Sequence, residues 1–178
     1  MGNKKYVLIT GSDGLIGSES VKFFSNKGYH ILGIDNNSRM KFFGKEASVL
    51  WNRNQLKKNI PNYIHFNYDI RNSKKVDKVF QDYKNDIVLI IHTAAQPSHD
   101  WASSNPKLDY EVNSLGTLNL LESYRKNSPK ASFIFTSTNK VYGDNPNKLD
   151  LIEDKRRYKI RKGSKYEYGI DENMSIDN

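Results

Sequence analysis

Tyr6-Val7-Leu8-Ile9-Thr10-Gly11-Ser12-Asp13-Gly14-Leu15-Ile16-Gly17 carries the most structural information in the chain. Four apolar residues read as a buried strand. The turn that follows has glycines at 11, 14 and 17, and the residues after it read as a helix. Glycine at 11 permits a tight turn, glycine at 14 lets a backbone approach a pyrophosphate, and glycine at 17 lets helix and strand pack closely. The helix start then presents free N–H groups and a partial positive charge. Strand, glycine turn and helix together point to a dinucleotide site. The alternative is a glycine-rich turn with no ligand. No Gly-Lys-Ser/Thr follows, so the turn is not a nucleoside-triphosphate loop.

Outward from this stretch, short apolar runs alternate with helical patterns. A helix is expected over 15–26, with Ile16, Val21, Phe23 and Phe24 as buried positions and Lys27-Gly28 as its C-terminal stop. Further strands are expected at 30–34, 63–67, 87–91 and 132–135. Helices are expected at 73–83, with Ser73 as N-cap, and at about 110–125. Strands alternating with helices predict a parallel sheet with right-handed crossovers. The fold expected is therefore α/β, a doubly wound Rossmann sheet of five strands in the order 3-2-1-4-5. Residues 36–62 read as an insertion with a helix near 46–57. The organisation expected is a nucleotide-binding domain over 1–150 and a loop region over 151–178.

Two acidic residues end strands where a nucleotide could meet them. Asp35, 18 residues past Gly17, is placed to accept hydrogen bonds from ribose hydroxyls, with Asn36 beside it. A carboxylate there repels a 2′-phosphate and favours NAD, although Arg39 keeps NADP open. Asp69-Ile70 could reach an adenine edge or simply close a strand.

Composition narrows the classes. The chain has 178 residues, a net charge of +8 and no cysteine. Without cysteine there is no disulfide scaffold, Cys-ligated zinc, iron–sulfur cluster or thiol catalysis. His30, His65, His92 and His99 show no metal-ligand spacing, so no metal is expected. No apolar run nears the roughly 20 residues of a membrane span. The apolar run before Gly11 is too short for a signal-peptide core, so a cytoplasmic protein with no membrane partner is expected. Lysine outnumbers arginine threefold and asparagine is as common as lysine, which reads as coding bias rather than nucleic-acid binding. The dense basic run 155–162 is flanked by acids.

Three more segments add to the glycine turn: His92-Thr93-Ala94-Ala95-Gln96, Asn113-Ser114-Leu115-Gly116-Thr117-Leu118-Asn119-Leu120, and Thr136-Ser137-Thr138-Asn139-Lys140-Val141-Tyr142-Gly143. With that turn they resemble the extended short-chain dehydrogenase/reductase family of nucleotide-sugar epimerases and dehydratases. Residues 137–144 look most like the CDP-paratose (tyvelose) 2-epimerase branch. The resemblance implies NAD as cofactor, held by Gly11, Asp13, Gly14, Leu15, Ile16, Gly17, Asp35, Asn36, Asp69, Ile70, Ala94, Ala95 and Gln96, with Asn113 bracing the site. It implies Thr138 as the catalytic hydroxyl, and Asn139, Lys140 and Tyr142 toward a nucleotide sugar, CDP-linked or related. Tyr142 could instead only pack. It also implies a homodimer at full length.

Dehydratases of the family carry Asp-Glu after that threonine; Asn139-Lys140 here argues against dehydration. The family's Tyr-x-x-x-Lys pair is expected twenty to thirty residues beyond the threonine loop. Tyr158 has Lys162 four residues on, but in an unpatterned basic segment. The chain is therefore read as an N-terminal part, lacking the acid/base pair and the C-terminal substrate lobe. The expected function is NAD-dependent epimerisation through a transient keto-sugar. A non-catalytic NAD-binding fragment and a dehydratase or reductase of the same family are the alternatives.

Overall fold

The computed structural model describes residues 4–138 and 140–176. It divides into two compact units, Met1–Thr136 and Ser137–Asn178. The first unit is built on five parallel strands: β1 (Tyr6–Thr10), β2 (His30–Ile34), β3 (Tyr63–Phe66), β4 (Ile87–His92) and β5 (Ser132–Phe135), in the order β3-β2-β1-β4-β5. This is the doubly wound order expected from the sequence. It arises because apolar runs such as Val7–Ile9 and Ile87–Ile91 must be covered on both faces.

The alternation along β1 shows the two faces directly. Leu8 joins one core cluster with Leu32, Ile34, Val76, Val79, Phe80, Ile90 and Leu120. Val7 and Ile9 join the other with Val21, Ile31, Leu56, Tyr63 and Ile91. Helices α1 (Leu15–Asn26) and α3 (Leu50–Asn59) serve the second cluster. Helices α4 (Ser73–Tyr83) and α7 (Gly116–Asn127) serve the first. Between β2 and α3 lies α2 (Ser38–Phe43). Two short helices, α5 (His99–Ser104) and α6 (Pro106–Tyr110), precede a π-helical turn over Glu111–Leu115 that runs into α7.

Local chemistry sets the ends. At Lys27-Gly28 the Tyr29 N–H donates to the Phe24 carbonyl at 3.2 Å and the Gly28 N–H to the Ser25 carbonyl at 2.9 Å. That is a Schellman cap, with Gly28 at φ +86° and the Phe24 and Tyr29 rings in contact across it.

Several expectations need correction. In α1, Val21 is buried but Ile16 and Phe23 are each 56% exposed. The buried stripe runs Gly17, Ser18, Val21, and the first turn looks toward the cleft described below. The cap of α4 is Asn72 rather than Ser73: the Asn72 side chain accepts the Lys75 N–H at 3.1 Å. The single helix expected over 110–125 starts earlier, at Pro106, and contains the π-helical turn.

The second unit contains an antiparallel hairpin, β6 (Leu151–Asp154) and β7 (Arg157–Ile160). The sequence reading missed it. Its two-residue link, Lys155-Arg156, has none of the Asn-Gly signal of tight hairpins, and nearly all its side chains are exposed. Tyr158 lies on β7 at 66% exposure. Tyr158 and Lys162 therefore do not share a helical face.

Gly17 is the tightest point of the first unit. A Cβ there would lie 2.0 Å from the Gly11 carbonyl oxygen and 2.7 Å from its carbon. Both are backbone atoms that cannot swing aside. Gly17→Ala is expected to cost about 3 kcal/mol or more of stability in urea unfolding. A loss below about 1 kcal/mol would mean that the turn relaxes freely.

Candidate cofactor site

The carboxyl ends of the strands open into a cleft of about 250 Å³. It sits where β1 gives way to β4, the switch point at which doubly wound sheets bind ligands. Gly11, Gly14, Leu15, Ile16 and Gly17 form its floor. Gly14, the N-cap of α1, makes no side-chain cap bond. The first-turn N–H groups of the helix thus face the cleft without a capping side chain.

Asp35 and Asn36 follow β2 along one wall, and Asp69 and Ile70 follow β3. Ala94 and Ala95 follow β4 on the other side. Eleven of the expected cofactor residues therefore share one cavity, with Arg39 beside them. The sequence did not point to Phe42, Val49, Tyr68, Pro97 and Val112, which also line it; Thr93 and Thr136 line it too, from quoted segments in which they had no assigned role. Apolar side chains without a motif spacing leave no signal.

Three expected cofactor residues are placed differently. Gln96 is buried and Asn113 half-buried, and neither lines the cleft. Asn113 Oδ1 accepts the Gln96 N–H at 2.8 Å, and Asn113 Nδ2 donates to the Gln96 carbonyl at 3.0 Å. Asn113 thus pins the backbone of Gln96, directly after Ala94-Ala95. Gln96 in turn donates to Asp109 Oδ1 at 2.8 Å.

Asp13 is the third. It is 1% exposed and its carboxylate is turned into the protein. It accepts from Arg53 Nε at 2.6 Å and from the Tyr63 hydroxyl at 3.1 Å, and pairs with His65 Nε2 at 3.2 Å. Burial alone would raise its pKa, but the hydrogen bonds and charges of His65 and Arg53 outweigh that and leave it lowered. Gly33 makes room for this cluster: a Cβ there would lie 2.5 Å from the Tyr63 ring.

Asp35 is held by backbone. Its Oδ1 accepts the Asn37 N–H at 2.7 Å and its Oδ2 the Asp13 N–H at 3.2 Å. Burial pushes its pKa up and the negative charge of Asp13 adds to that. The two N–H donors and Arg53 pull the other way without cancelling it. Asp69 is gripped by Arg71, whose Nη2 lies 2.8 Å from Oδ2. Burial opposes ionisation there, but the Arg71 hydrogen bonds win and its pKa falls. Arg71 also reaches Glu111 at 3.1 Å, and Asn119 Nδ2 donates to the Ile70 and Arg71 carbonyls at 3.0 and 3.1 Å. These contacts tie the Asp69 loop to α7.

In the second unit, Thr138 Oγ1 accepts the Lys140 N–H at 3.2 Å, and the Tyr142 hydroxyl donates to the Asp171 carbonyl at 3.1 Å. Asn139 lies outside the described residues. Among the described residues no cluster of His, Asp or Glu could hold a metal, and no helix is long and apolar enough to cross a membrane.

A parallel sheet in this order, with a glycine-rich turn opening α1 and an acidic residue ending β2, defines a dinucleotide-binding α/β protein. The comparison with known proteins is more specific. Residues 7–171 match the NAD dependent epimerase/dehydratase family, and the chain belongs to it. It is 35% identical to CDP-paratose 2-epimerase of Salmonella typhi over 138 residues, which is 78% of this chain and 38% of the relative. It is 32% identical to UDP-glucose 4-epimerase of Pisum sativum over 151 residues, 83% of this chain and 40% of the relative. Among solved structures it resembles UDP-glucose 4-epimerase of Thermus thermophilus, solved in complex with NAD. The TM-score is 0.53 at 33% identity, covering 68% of this chain and 34% of that one. The chain thus spans about two fifths of the length of the curated relatives.

His92, the first residue of the His-Thr-Ala-Ala-Gln segment, is buried beneath the cleft. The Thr117 hydroxyl donates to the Asn113 carbonyl at 2.6 Å, so at its 2.9 Å contact with His92 Nε2 it must accept. Nε2 therefore carries the proton. Nδ1 then accepts from the Thr10 hydroxyl at 2.7 Å, while Thr10 Oγ1 accepts the Ala94 N–H at 3.3 Å. A second proton on His92 has no acceptor without breaking this chain, and burial pushes the pKa from 6.5 down to about 4. Above pH 6.5 the ring is neutral in both folded and unfolded states. As pH falls below that, the unfolded chain takes a proton that the folded one refuses. Stability is expected to drop by about 3 kcal/mol by pH 4 from this group. Urea unfolding at several pH values should show the drop in the wild type and a shallower one in His92→Asn. Equal slopes would place the titration elsewhere.

Proposed function

We propose that this chain is the NAD-binding part of an epimerase acting on a nucleotide-activated sugar through a transient keto-sugar. The observation that carries the reading is the cleft itself: glycine turn, bare helix N-terminus and Asp35 converge on one cavity at the switch point. The first-turn N–H groups and Gly11, Gly14, Leu15, Ile16 and Gly17 take the diphosphate. Asp35 accepts from the adenosine ribose hydroxyls, with Asn36 alongside. Asp69 and Ile70 meet the adenine, helped by Phe42 and Val49. Ala94 and Ala95 line the nicotinamide side, held in place by Asn113 through Gln96. Asp13 acts from beneath the turn rather than on the cofactor.

When bound, NAD supplies an acceptor that takes a hydride from a ring carbon and returns it, so the cofactor is regenerated in each turnover. In this reading Thr138 donates a hydrogen bond to the sugar oxygen while it gains carbonyl character, and Asn139, Lys140 and Tyr142 contact the sugar nucleotide. Asn139-Lys140, in place of the Asp-Glu of dehydratases, favours epimerisation over elimination. The Salmonella typhi relative supports a CDP-linked substrate and inversion at the 2-position.

Two measurements test the reading. NAD should raise the melting temperature, with stabilisation of about 3 kcal/mol at a hundredfold excess over Kd. Asp35→Ala should weaken binding by about tenfold or more, since it deletes a charged hydrogen-bond partner. No shift at millimolar NAD would overturn the cofactor assignment. For the substrate, full-length protein should interconvert CDP-paratose and its 2-epimer, and Thr138→Val should depress kcat more than KM. Turnover of UDP-glucose alone would reassign the sugar.

A further inference from the structure

Helix α3 lies in the insertion between β2 and β3, and its apolar packing hardly explains its presence. Leu56 is its one buried side chain, and Trp51 is exposed. What α3 delivers is polar. Asn52 Nδ2 donates to the Asp13 carbonyl at 2.7 Å. Arg53 Nε donates to Asp13 Oδ2 at 2.6 Å, and Nη2 donates to the Asp35 carbonyl at 3.3 Å. The same Nη2 lies 3.8 Å from Asp35 Oδ1. One guanidinium, itself only 12% exposed, thus spans the glycine turn and the end of β2.

We propose that Arg53 is a positioning residue for cofactor choice: by pairing with Asp13 it holds the Asp35 carboxylate ready for two ribose hydroxyls and against a 2′-phosphate. This rests on the NAD reading above and names what sets its selectivity.

The charges around the pair support it. Asp13 and Asp35 are neighbours, since the Asp13 N–H donates to Asp35 Oδ2. Without a cation between them, two buried carboxylates would repel and one would protonate or move. His65 and Tyr63 from β3, and Ser12 from the turn, all bond Asp13. Asp35 has the Asn37 N–H, the Asp13 N–H and the longer contact with Arg53. Arg53 is therefore largely spent on Asp13, and Asp35 keeps a charge that a phosphate would meet. Arg39 of α2 also lines the cleft, but its guanidinium stacks 4.9 Å from the Phe43 ring. Arg53 cannot change sides without stranding Asp13, which is the physical lock. Lysine would not reproduce it, because a point charge cannot bond both places as the planar fork does.

The test compares wild type, Arg53→Met, Arg53→Lys, Asp13→Asn and the Arg53→Met/Asp13→Asn double variant. Calorimetry gives Kd for NAD and for NADP, and near-UV circular dichroism checks the fold. Wild type should prefer NAD. Arg53→Met should weaken NAD about tenfold or more while NADP changes about threefold or less, so the preference narrows. Arg53→Lys should fall between the two. The double variant should regain part of the preference, because the stranded charge is gone. If Arg53→Met does not fold, Arg53→Lys and the double variant carry the comparison. Equal weakening of both cofactors, or an unchanged ratio, would overturn the proposal and leave NAD binding standing. A folded wild type that binds neither cofactor would overturn the NAD reading itself, before any variant is made. A double-mutant cycle on the cofactor-free protein gives an independent readout: coupling between Asp13 and Arg53 supports the lock, and none overturns it.

Discussion

A carboxylate with almost no access to water, Asp13, sits in the middle of the glycine turn. Burying such a charge costs several kcal/mol unless it is paired and hydrogen-bonded. The surrounding structure answers it with four side chains from three elements. Ser12 comes from the turn itself, Tyr63 and His65 from β3, and Arg53 from the insertion. Each answer imposes a further demand. Tyr63 reaches Asp13 only because Gly33 leaves β2 open at that point. Arg53 reaches it only if α3 docks across β3, which Leu56 secures. The shape of the turn, the identity of residue 33 and the course of the insertion are thus linked through one buried charge.

The loops after β3 and β4, on either side of the cleft, use the same physics without a fully buried charge. These loops leave the sheet at the cleft, so their backbone groups have no regular ladder to satisfy them. Side chains from the helices do it for them. Asn113 takes both the N–H and the carbonyl of Gln96, and Asn119 takes the carbonyls of Ile70 and Arg71. Gly116 lets α7 approach the loop closely enough: a Cβ there would lie 2.6 Å from Ile70 Cδ1. Asn113 lies in the π-helical turn, where the widened backbone sets its side chain toward the β4 loop. Pinned loops keep the cleft's shape before anything binds, which lowers the ordering cost of binding.

Strands and their order were readable because burial on both faces forces continuous apolar runs, and the crossover rule leaves few ways to arrange them. The cleft's glycines and Asp35 were readable because their backbone and hydrogen-bonding roles tolerate few alternatives. Other features carry no comparable mark. Asp13 has the spacing of a cofactor residue, yet its direction is set by Arg53 and His65, forty and fifty-two positions away. Ile16 and Phe23 fit a helical stripe by residue type, but the stripe that packs is defined by Gly17 and Ser18, small residues that hydropathy ignores. The hairpin of β6 and β7 is held by cross-strand pairing and the Arg161–Asp150 and Lys159–Asp154 ion pairs, so it shows no buried face to detect.

What the matched relatives share also bears on what this stretch can specify. One is named for epimerising CDP-paratose at the 2-position and another for epimerising UDP-glucose at the 4-position, yet each matches about four fifths of this chain at nearly equal identity. Similarity of this size to proteins named for different bases, sugars and carbons speaks for a shared frame more than for one substrate. In this chain the frame is the cleft: a glycine turn with an uncapped helix start, a carboxylate fixed by backbone donors, and loops pinned by asparagines. Function is grafted onto such a frame by particular residues. The insertion adds to that frame, since α2 lines the cleft and α3 holds Asp13 from behind. An insertion that reaches under the glycine turn is better explained by the cofactor than by the sugar. Differences in that segment should then track how tightly, and which, dinucleotide is held.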